Sequence, residues 1–347
     1  MAHWQFGLVS VVLVNWNGAS HVEGCLNSLL AQTWPSLEII LVDNASTDES
    51  LKLARSIEGL GLRVIENPEN VGFAQANNQG IHAARGEFVL FLNIDAELDA
   101  RFIEYALGAL AQDEKLGSVT GKLYLLKDGS RTDILDSTGV TVRTSRRAHD
   151  RGHGQRDTGQ FDDAREVFGA CAAAALYRRT ALESVAIDGE YFDSTFFMYL
   201  EDVDLAWRAL IGGWECRFVP CAIGWHVRGG SGGGSKRDIQ VHHFKNHLLL
   251  VLKNDRIRDI LRDFIPVMSS AMADVLTTIM WPHRLSGIKQ VLRALPRVCR
   301  WRRIIQSKRS CAADTPRRYF SPGGTMRSRW VAFRNKGRRM DACNGGY

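Results

Sequence analysis

An α/β fold built on a three-layer, mainly parallel sheet follows from three features of this 347-residue chain. Strand-like and helix-like segments alternate with short turns over the first hundred residues. The strand-like runs are mostly apolar and rich in β-branched residues, as strands covered on both faces are. Each run also ends in Asn, Asp or Glu, which lines one edge of the sheet with polar groups. In open parallel sheets, ligands bind just outside the carboxyl ends of the strands.

The first strand is expected over residues 8–14, bounded by Asn15-Trp16-Asn17-Gly18. Val22, Cys25, Leu26, Leu29 and Leu30 then recur at helical spacing. Residues 37–42 repeat the strand pattern and stop at Asp43-Asn44. Ser46 or Thr47 can cap a helix over about 48–58, with Glu49 and Ser50 in its first turn. A third strand fits 62–65, a helix 71–84, and a fourth strand 88–92, with right-handed crossovers between them. Residues 127–165 are rich in Asp, Arg and Gly and read as a polar surface excursion. Residues 167–177 return to a strand-like run, and 202–211 fit a helix closed by Gly212-Gly213. Residues 229–235 are a Gly/Ser loop that can act as a lid or as a simple connector. Interrupted amphipathic patterns fill 242–305, and the tail from about 310 has no pattern. We divide the chain into a main domain over 1–240, a helical segment over 241–309 and a basic tail over 310–347. The main domain falls into two halves that meet at about residue 105.

The net charge of +6 conceals an asymmetry. Residues 1–249 hold 23 Lys and Arg against 32 Asp and Glu, whereas residues 250–347 hold 21 against 6. An acidic body argues against nucleic acid as partner, because such binders need basic and aromatic residues interleaved on the folded surface. A basic C-terminal part suits an anionic membrane surface. The seven cysteines are scattered without a C-x-x-C and read as reduced thiols of a cytoplasmic protein. No apolar run of 18 residues or more is present, and the N-terminal run reads as a strand rather than a signal peptide.

The densest chemical signal is Phe196-Phe197-Met198-Tyr199-Leu200-Glu201-Asp202-Val203-Asp204. A carboxylate next to an aromatic wall is costly to bury in ionised form, so its proton affinity rises, which suits a general base. The same residues also read as the acidic first turn of a helix. Neither G-x-G-x-x-G after the first strand nor a P-loop occurs. With no basic cradle in the first hundred residues, a diphosphate would need a divalent cation, and Asp95 is the candidate ligand.

Val12-Leu13-Val14-Asn15-Trp16-Asn17, the run from Val42 to Asp48, Asn70-Val71-Gly72-Phe73 through Asn78, Leu92-Asn93-Ile94-Asp95, the acidic run above, Gly213-Trp214 and His226 follow one another in order. Together they resemble family 2 glycosyltransferases, and within them bacterial rhamnosyltransferases, over about residues 8–255. The resemblance implies a GT-A fold, with a Rossmann-like sheet and here a C-terminal helical appendage. It implies that the main domain is catalytic, its half to about 105 binding nucleotide and the half beyond it the acceptor. It also implies inverting, metal-dependent transfer from a nucleotide-diphospho-sugar to a glycan or polyprenyl-diphosphate-linked acceptor in cell-surface polysaccharide synthesis.

By position, Asn15, Asn17, Asp43, Asn44, Ser46, Gly72, Phe73, Asn77 and Asn93 would bind the nucleotide sugar. Asp95 and His226 would hold Mg²⁺ or Mn²⁺, with Asn93 standing where the family's metal motif has its first carboxylate. Asp202 would be the base and Glu201 its neighbour. Lys245-Asn246 stands where the family has Arg-Asn, beside a phosphate. The donor implied is deoxythymidine-diphospho-L-rhamnose. UDP-hexoses and a catalytically silent sugar-nucleotide-binding scaffold are the alternatives. A peripheral place on the inner face of the cell membrane is expected, and an oligomer is compatible with the sequence.

Overall fold

The computed structural model describes residues 4–229, 235–310 and 316–321. The N-terminal part runs β1 (Gln5–Asn15), α1 (Val22–Leu30), β2 (Leu37–Asp43), α2 (Ser50–Ser56), β3 (Arg63–Glu66), α3 (Phe73–Ala83) and β4 (Gly86–Asn93). There follow β5 (Ala96–Leu98), α4 (Phe102–Ala111), β6 (Leu116–Lys127), β7 (Ser130–Ser137), β8 (Val140–Arg143), β9 (Ala148–Asp150), β10 (Glu166–Val167), β11 (Ala174–Arg178) and α5 (Arg179–Val185). The chain continues through α6 (Glu201–Ile211), β12 (Glu215–His226), α7 (Lys236–Asn254), α8 (Ile257–Arg262), α9 (Phe264–Met280), α10 (Leu285–Ser307) and β13 (Phe320–Ser321).

The main sheet has the order β10-β12-β6-β11-β4-β1-β2-β3. β1 pairs in parallel with β2 and β4, and β2 with β3, so their carboxyl ends share one edge. β11 enters antiparallel between β4 and β6, and β12 pairs in parallel with β6. The two-residue period of β1 sorts the core. Val9, Val11 and Leu13 face α1, α2 and α4, while Val12 faces α3 and the layer that includes α5 and α6. Gly80 lets α3 lie close on β1, since a Cβ there would stand 2.3 Å from Val12 Cγ1.

The structure alters several expectations. The run at 167–177 is two strands separated by residues 168–173, and that break carries a backbone N–H toward Asp202. α2 is shorter than expected because Ser46 is engaged by Asn15 and Asn17 instead of capping the helix. The polar stretch 127–165 is more than a surface excursion. Asp136, Ser137 and Thr138 are fully buried, because their partners come from β12 and the segment around Arg151. Helix begins at Lys236, and α7 and α10 share one apolar cluster with α6 and β8 through Trp207, Leu250, Val291 and Trp301. Cys25, Cys171, Cys216 and Cys299 are free, but Cys221 is disulfide-bonded, so the expectation of uniformly reduced thiols fails there. Most of the Gly/Ser loop and most of the basic tail lie outside the described residues.

Candidate active site

The strand ends of β1 and β2 are tied together before any ligand arrives. Asn15 Nδ2 donates to Asp43 Oδ1 (2.7 Å), Ser50 Oγ (2.8 Å) and Ser46 Oγ (3.0 Å). The Ser46 amide donates to Asp43 Oδ2, and the Asn17 amide to Ser46 Oγ. Asn44 reaches across to the third turn, with Nδ2 on Gly72 O and Oδ1 accepting from Asn67. Asn15, Asp43 and Asn44 are thus buried polar groups that fix the rim. Asn17 is only half-buried. Asn77 is turned to its own helix, where Nδ2 donates to Phe73 O, while its neighbour Asn78 holds the backbone of Tyr191 and Phe192.

Gly72 joins this rim to the aromatic run. Its φ of 86° lies in the left-handed region, and a Cβ would stand 2.5 Å from the Phe197 ring. The Ala74 amide donates to Phe197 O. The turn before Glu201 holds Phe197, Tyr199 and Leu200 at φ 65°, 69° and 65°. Three non-glycine residues in that region are costly unless their surroundings enforce it. Lys245 and Asn246 do so. Lys245 Nζ donates to Thr195 O (2.8 Å), and Asn246 Nδ2 to Phe196 O, Met198 O and Tyr199 O (3.0, 2.7 and 2.7 Å). The pair that the resemblance placed near a phosphate is therefore buried and spent on this turn. Burial lowers the Lys245 pKa to about 8.

Beyond the turn, Asp202 opens α6. Its carboxylate accepts from the Val203 amide (2.8 Å) and the Ala172 amide (3.3 Å). Burial first, then the Asp150 carboxylate, raises its pKa to about 6. Glu201 is buried more deeply, its Oε2 has no hydrogen-bond partner, and desolvation followed by Asp202 pushes its pKa well up.

Asp95 and His226 meet at the end of β12. β12 pairs His226 with Ala96, and His226 Nε2 lies 3.2 Å from Asp95 Oδ1 and 3.3 Å from Asn93 Nδ2. His226 Nδ1 contacts Asp136 Oδ2 at 2.8 Å. Burial opposes its protonation, but the bonds to Asp136 and Asp95 outweigh that and lift its pKa to about 9. Asp136 also accepts from Arg228 (2.8 Å), which reaches Asp150 at 3.0 Å. Desolvation works against ionisation of Asp136, yet His226 and Arg228 hold its pKa below the usual value. The chain of contacts runs Asp95–His226–Asp136–Arg228–Asp150, and the Asp150 field reaches Asp202. Cys171 lies among them: burial, then Asp150, Asp202 and Asp136, drive its thiol pKa well up. The Asn93 amide donates to Ala173 O, next to the Ala172 amide that donates to Asp202. The two acidic groups, a hundred residues apart in sequence, are therefore joined by one network of contacts and by adjacent backbone bonds at 172–173.

Asp95, His226 and Asn93 are the residues here that could hold a divalent cation, His226 in its neutral form. Asp95 Oδ1 and His226 Nε2 are as far apart as neighbouring ligands of an ion bound at about 2.1 Å. Asn93 Oδ1 is buried without a hydrogen-bond partner. His226 is oriented by a carboxylate on its other nitrogen, as ligating histidines are. Among the described residues no group of three or more His, Cys, Asp or Glu side chains could hold a metal ion. The remaining ligands would have to be donor phosphates and water, as is usual for Mg²⁺.

Asp136 was missed by reading the sequence, because a lone Asp in a polar run looks solvated. Asp136→Asn should keep one acceptor oxygen but lose the second and the charge, so that His226 and Arg228 can no longer both be held. An activity loss of about 10–100-fold is expected, together with a weaker response to added Mn²⁺. Steady-state rates across a metal titration check this, with circular dichroism confirming the fold.

A mainly parallel sheet whose strand ends meet an acidic cluster of this kind has the architecture of the GT-A fold. The chain belongs to glycosyl transferase family 2, whose family model matches residues 10–186. It is 26% identical over 218 residues to the poly-β-1,6-N-acetyl-D-glucosamine synthase of Staphylococcus aureus, covering 62% of this chain and 49% of the synthase. The Staphylococcus epidermidis synthase gives 25% over 227 residues, 64% of this chain and 50% of that one. The chain thus spans about half the length of the curated relatives it matches. Among solved structures it resembles S. aureus TarS 1–349 in complex with UDP-GlcNAc, with a TM-score of 0.55, 16% identity and coverage of 87% and 88%. It also resembles GalNAc-T7 with UDP, GalNAc and Mn²⁺, with a TM-score of 0.56, 20% identity and coverage of 71% and 48%. At these identities the likeness carries the fold.

Proposed function

We propose that this chain is an inverting hexosyltransferase that uses a nucleoside-diphosphate sugar and builds a cell-surface glycan. The observation that carries the reading is the contact network that joins Asp202, whose pKa is raised, to the Asp95–His226 pair. The nucleoside would lie on the rim made by Asn15, Asn17, Asp43, Asn44 and Ser46, with Gly72, Phe73 and Asn77 closing its far side. Asn93, Asp95 and His226 would hold Mg²⁺ or Mn²⁺, which when bound offsets charge on the departing diphosphate.

Asp202 takes the proton from the acceptor hydroxyl. The freed oxygen attacks the anomeric carbon opposite the leaving group. The carbon–oxygen bond to the diphosphate breaks, and the nucleoside diphosphate leaves with that electron pair. The Ala172 and Val203 amides hold the carboxylate in place, with Glu201 as its buried neighbour. We assign 1–240 to this chemistry, in two halves meeting near residue 105, and 241–309 to the helical segment. The acceptor is a glycan or polyprenyl-diphosphate-linked hydroxyl at an anionic membrane face.

For the donor, deoxythymidine-diphospho-L-rhamnose is the first reading. A UDP-N-acetylhexosamine is the second, favoured by the names of the relatives and by the UDP-GlcNAc held by TarS. Release of nucleoside diphosphate across a panel of nucleotide sugars, with Mn²⁺ and with chelator, tests both. One sugar should turn over at least tenfold faster with metal. No turnover of any panel member, with or without an acceptor extract, would overturn the transfer reading.

A further inference from the structure

Among the described residues, all but three of the exposed large apolar side chains lie within 257–292, on α8, α9 and the start of α10. Ile257 and Leu261 on α8, and Ile265, Met272, Ile279 and Met280 on α9, are 59–78% exposed, and Ile265, Met272 and Ile279 recur every seven residues on one face of α9. Exposed apolar faces gathered on successive helices mark a surface that is covered in use.

The charges of the same segment are sorted. Residues 255–309 contain four carboxylates, Asp255, Asp259, Asp263 and Asp274, all only 3–8% exposed. Each is consumed by an arginine: Arg146 on Asp255 and Asp263, Arg256 on Asp259 and Arg147 on Asp274. The exposed ionisable residues of the segment are therefore cationic throughout. On α10, Lys289 and Arg293 stand exposed beside the exposed Ile288 and Leu292.

We propose that α8, α9 and the start of α10 form a docking surface for an anionic lipid bilayer, lying in the plane of its interface. Apolar helix faces edged only by cations match in-plane helices on anionic leaflets. No single described helix is long and apolar enough to cross a membrane, and α9 meets the 282–307 helix at 114°. Trp281 sits at that bend, a residue favoured at the lipid headgroup level. A second copy seated on the same face would bring Lys289 and Arg293 near their own kind with no exposed carboxylate of the segment to meet them. The surface is also clipped to the catalytic pocket. Arg147 Nε donates to Ser270 Oγ (2.9 Å) and pairs with Asp274 on α9 (2.5 Å), three residues before Asp150.

The inference stands without the transfer reading. Combined with it, the surface would deliver the pocket to an amphiphilic acceptor held at the bilayer. The test is co-sedimentation of the full chain with phosphatidylcholine vesicles, with and without phosphatidylglycerol. Binding should require phosphatidylglycerol and fall with salt. It should weaken about tenfold or more both in the pair Ile265→Glu with Ile279→Glu and in the pair Lys289→Glu with Arg293→Glu. All four side chains are exposed, so circular dichroism should be unchanged. Equal binding to neutral vesicles, or binding that survives both pairs, would overturn the proposal. So would a dimer in light scattering that Ile265→Glu with Ile279→Glu disperses while vesicles go unbound. Hydrolysis of donor without acceptor reports the pocket separately.

Discussion

Asp202→Asn is expected to lower turnover by about 10²–10⁴-fold while leaving donor affinity unchanged, because a general base acts on the acceptor and not on the nucleotide. The structure supplies an internal control. The fold raises the Asp202 pKa from 3.8 to about 6, so this group's contribution to stability is complete below about pH 4 and is lost as pH rises through 6. Ionised Asp202 is therefore destabilising above that range. Asparagine removes that cost and gives up only the longer bond to the Ala172 amide. The melting temperature of the variant at pH 8 should be no lower than that of the parent. In the parent, the rate should climb with pH up to about 6 and then level off, since only the carboxylate accepts a proton. Near-normal turnover in the variant would sink the assignment, as would a rate profile flat through pH 6.

Lys253→Met should be the most damaging change to stability, at about 3–5 kcal/mol. Lys253 is fully buried on α7, with Nζ 2.5 Å from Asp193 Oδ2 and 2.9 Å from Asp204 Oδ1, and it lies over the rings of Phe196 and Trp301. Methionine keeps the packing but removes the cation shared by two buried carboxylates, leaving Asp193 with Arg297 and Thr195 and Asp204 with Arg208 and Asn254. Although burial disfavours ionised Asp193, Lys253 outweighs it and holds its pKa at about 2. This contribution is therefore present above about pH 4 and lost as pH falls toward 2. The variant should lose that acid transition, and adding Asp193→Asn should recover part of the stability. Urea unfolding across pH 2–7 measures both effects. A variant as stable as the parent would show that the network contributes nothing.

These two residues illustrate different degrees of legibility. Asp202 was readable because a carboxylate directly after an aromatic run implies burial, and burial implies a shifted proton affinity. The parallel strands and their polar ends were readable for a similar reason. Apolar runs buried on both faces have no period-2 polarity, and Asn and Asp stop them at one edge. The acidic first turn read from Glu201-Asp202 is present at the start of α6, and burial raises the pKa of both carboxyls. Asp136, Asp150 and Lys253 were not legible. Each is an ordinary charged residue whose neighbours in sequence are unremarkable, and a partner comes from 60 or more residues away. Lys245-Asn246 was legible as a pair but not in its role, because a lysine near a phosphate and a lysine near backbone carbonyls look alike in sequence.

What the chain dictates by itself is the alternation of elements, the polar rim at the carboxyl ends of β1, β2 and β4, and the acidic pair. These rest on local spacing and local polarity, which survive in one dimension. Only the tertiary fold decided that the polar excursion closes over His226, that α7 clamps the turn before Glu201, and that α8 to α10 turn cations and apolar groups outward while hiding their carboxylates. The physical reason is that the state of a buried charge depends on which opposite charge lands within about 3–4 Å of it. That distance is set by packing between elements far apart in sequence.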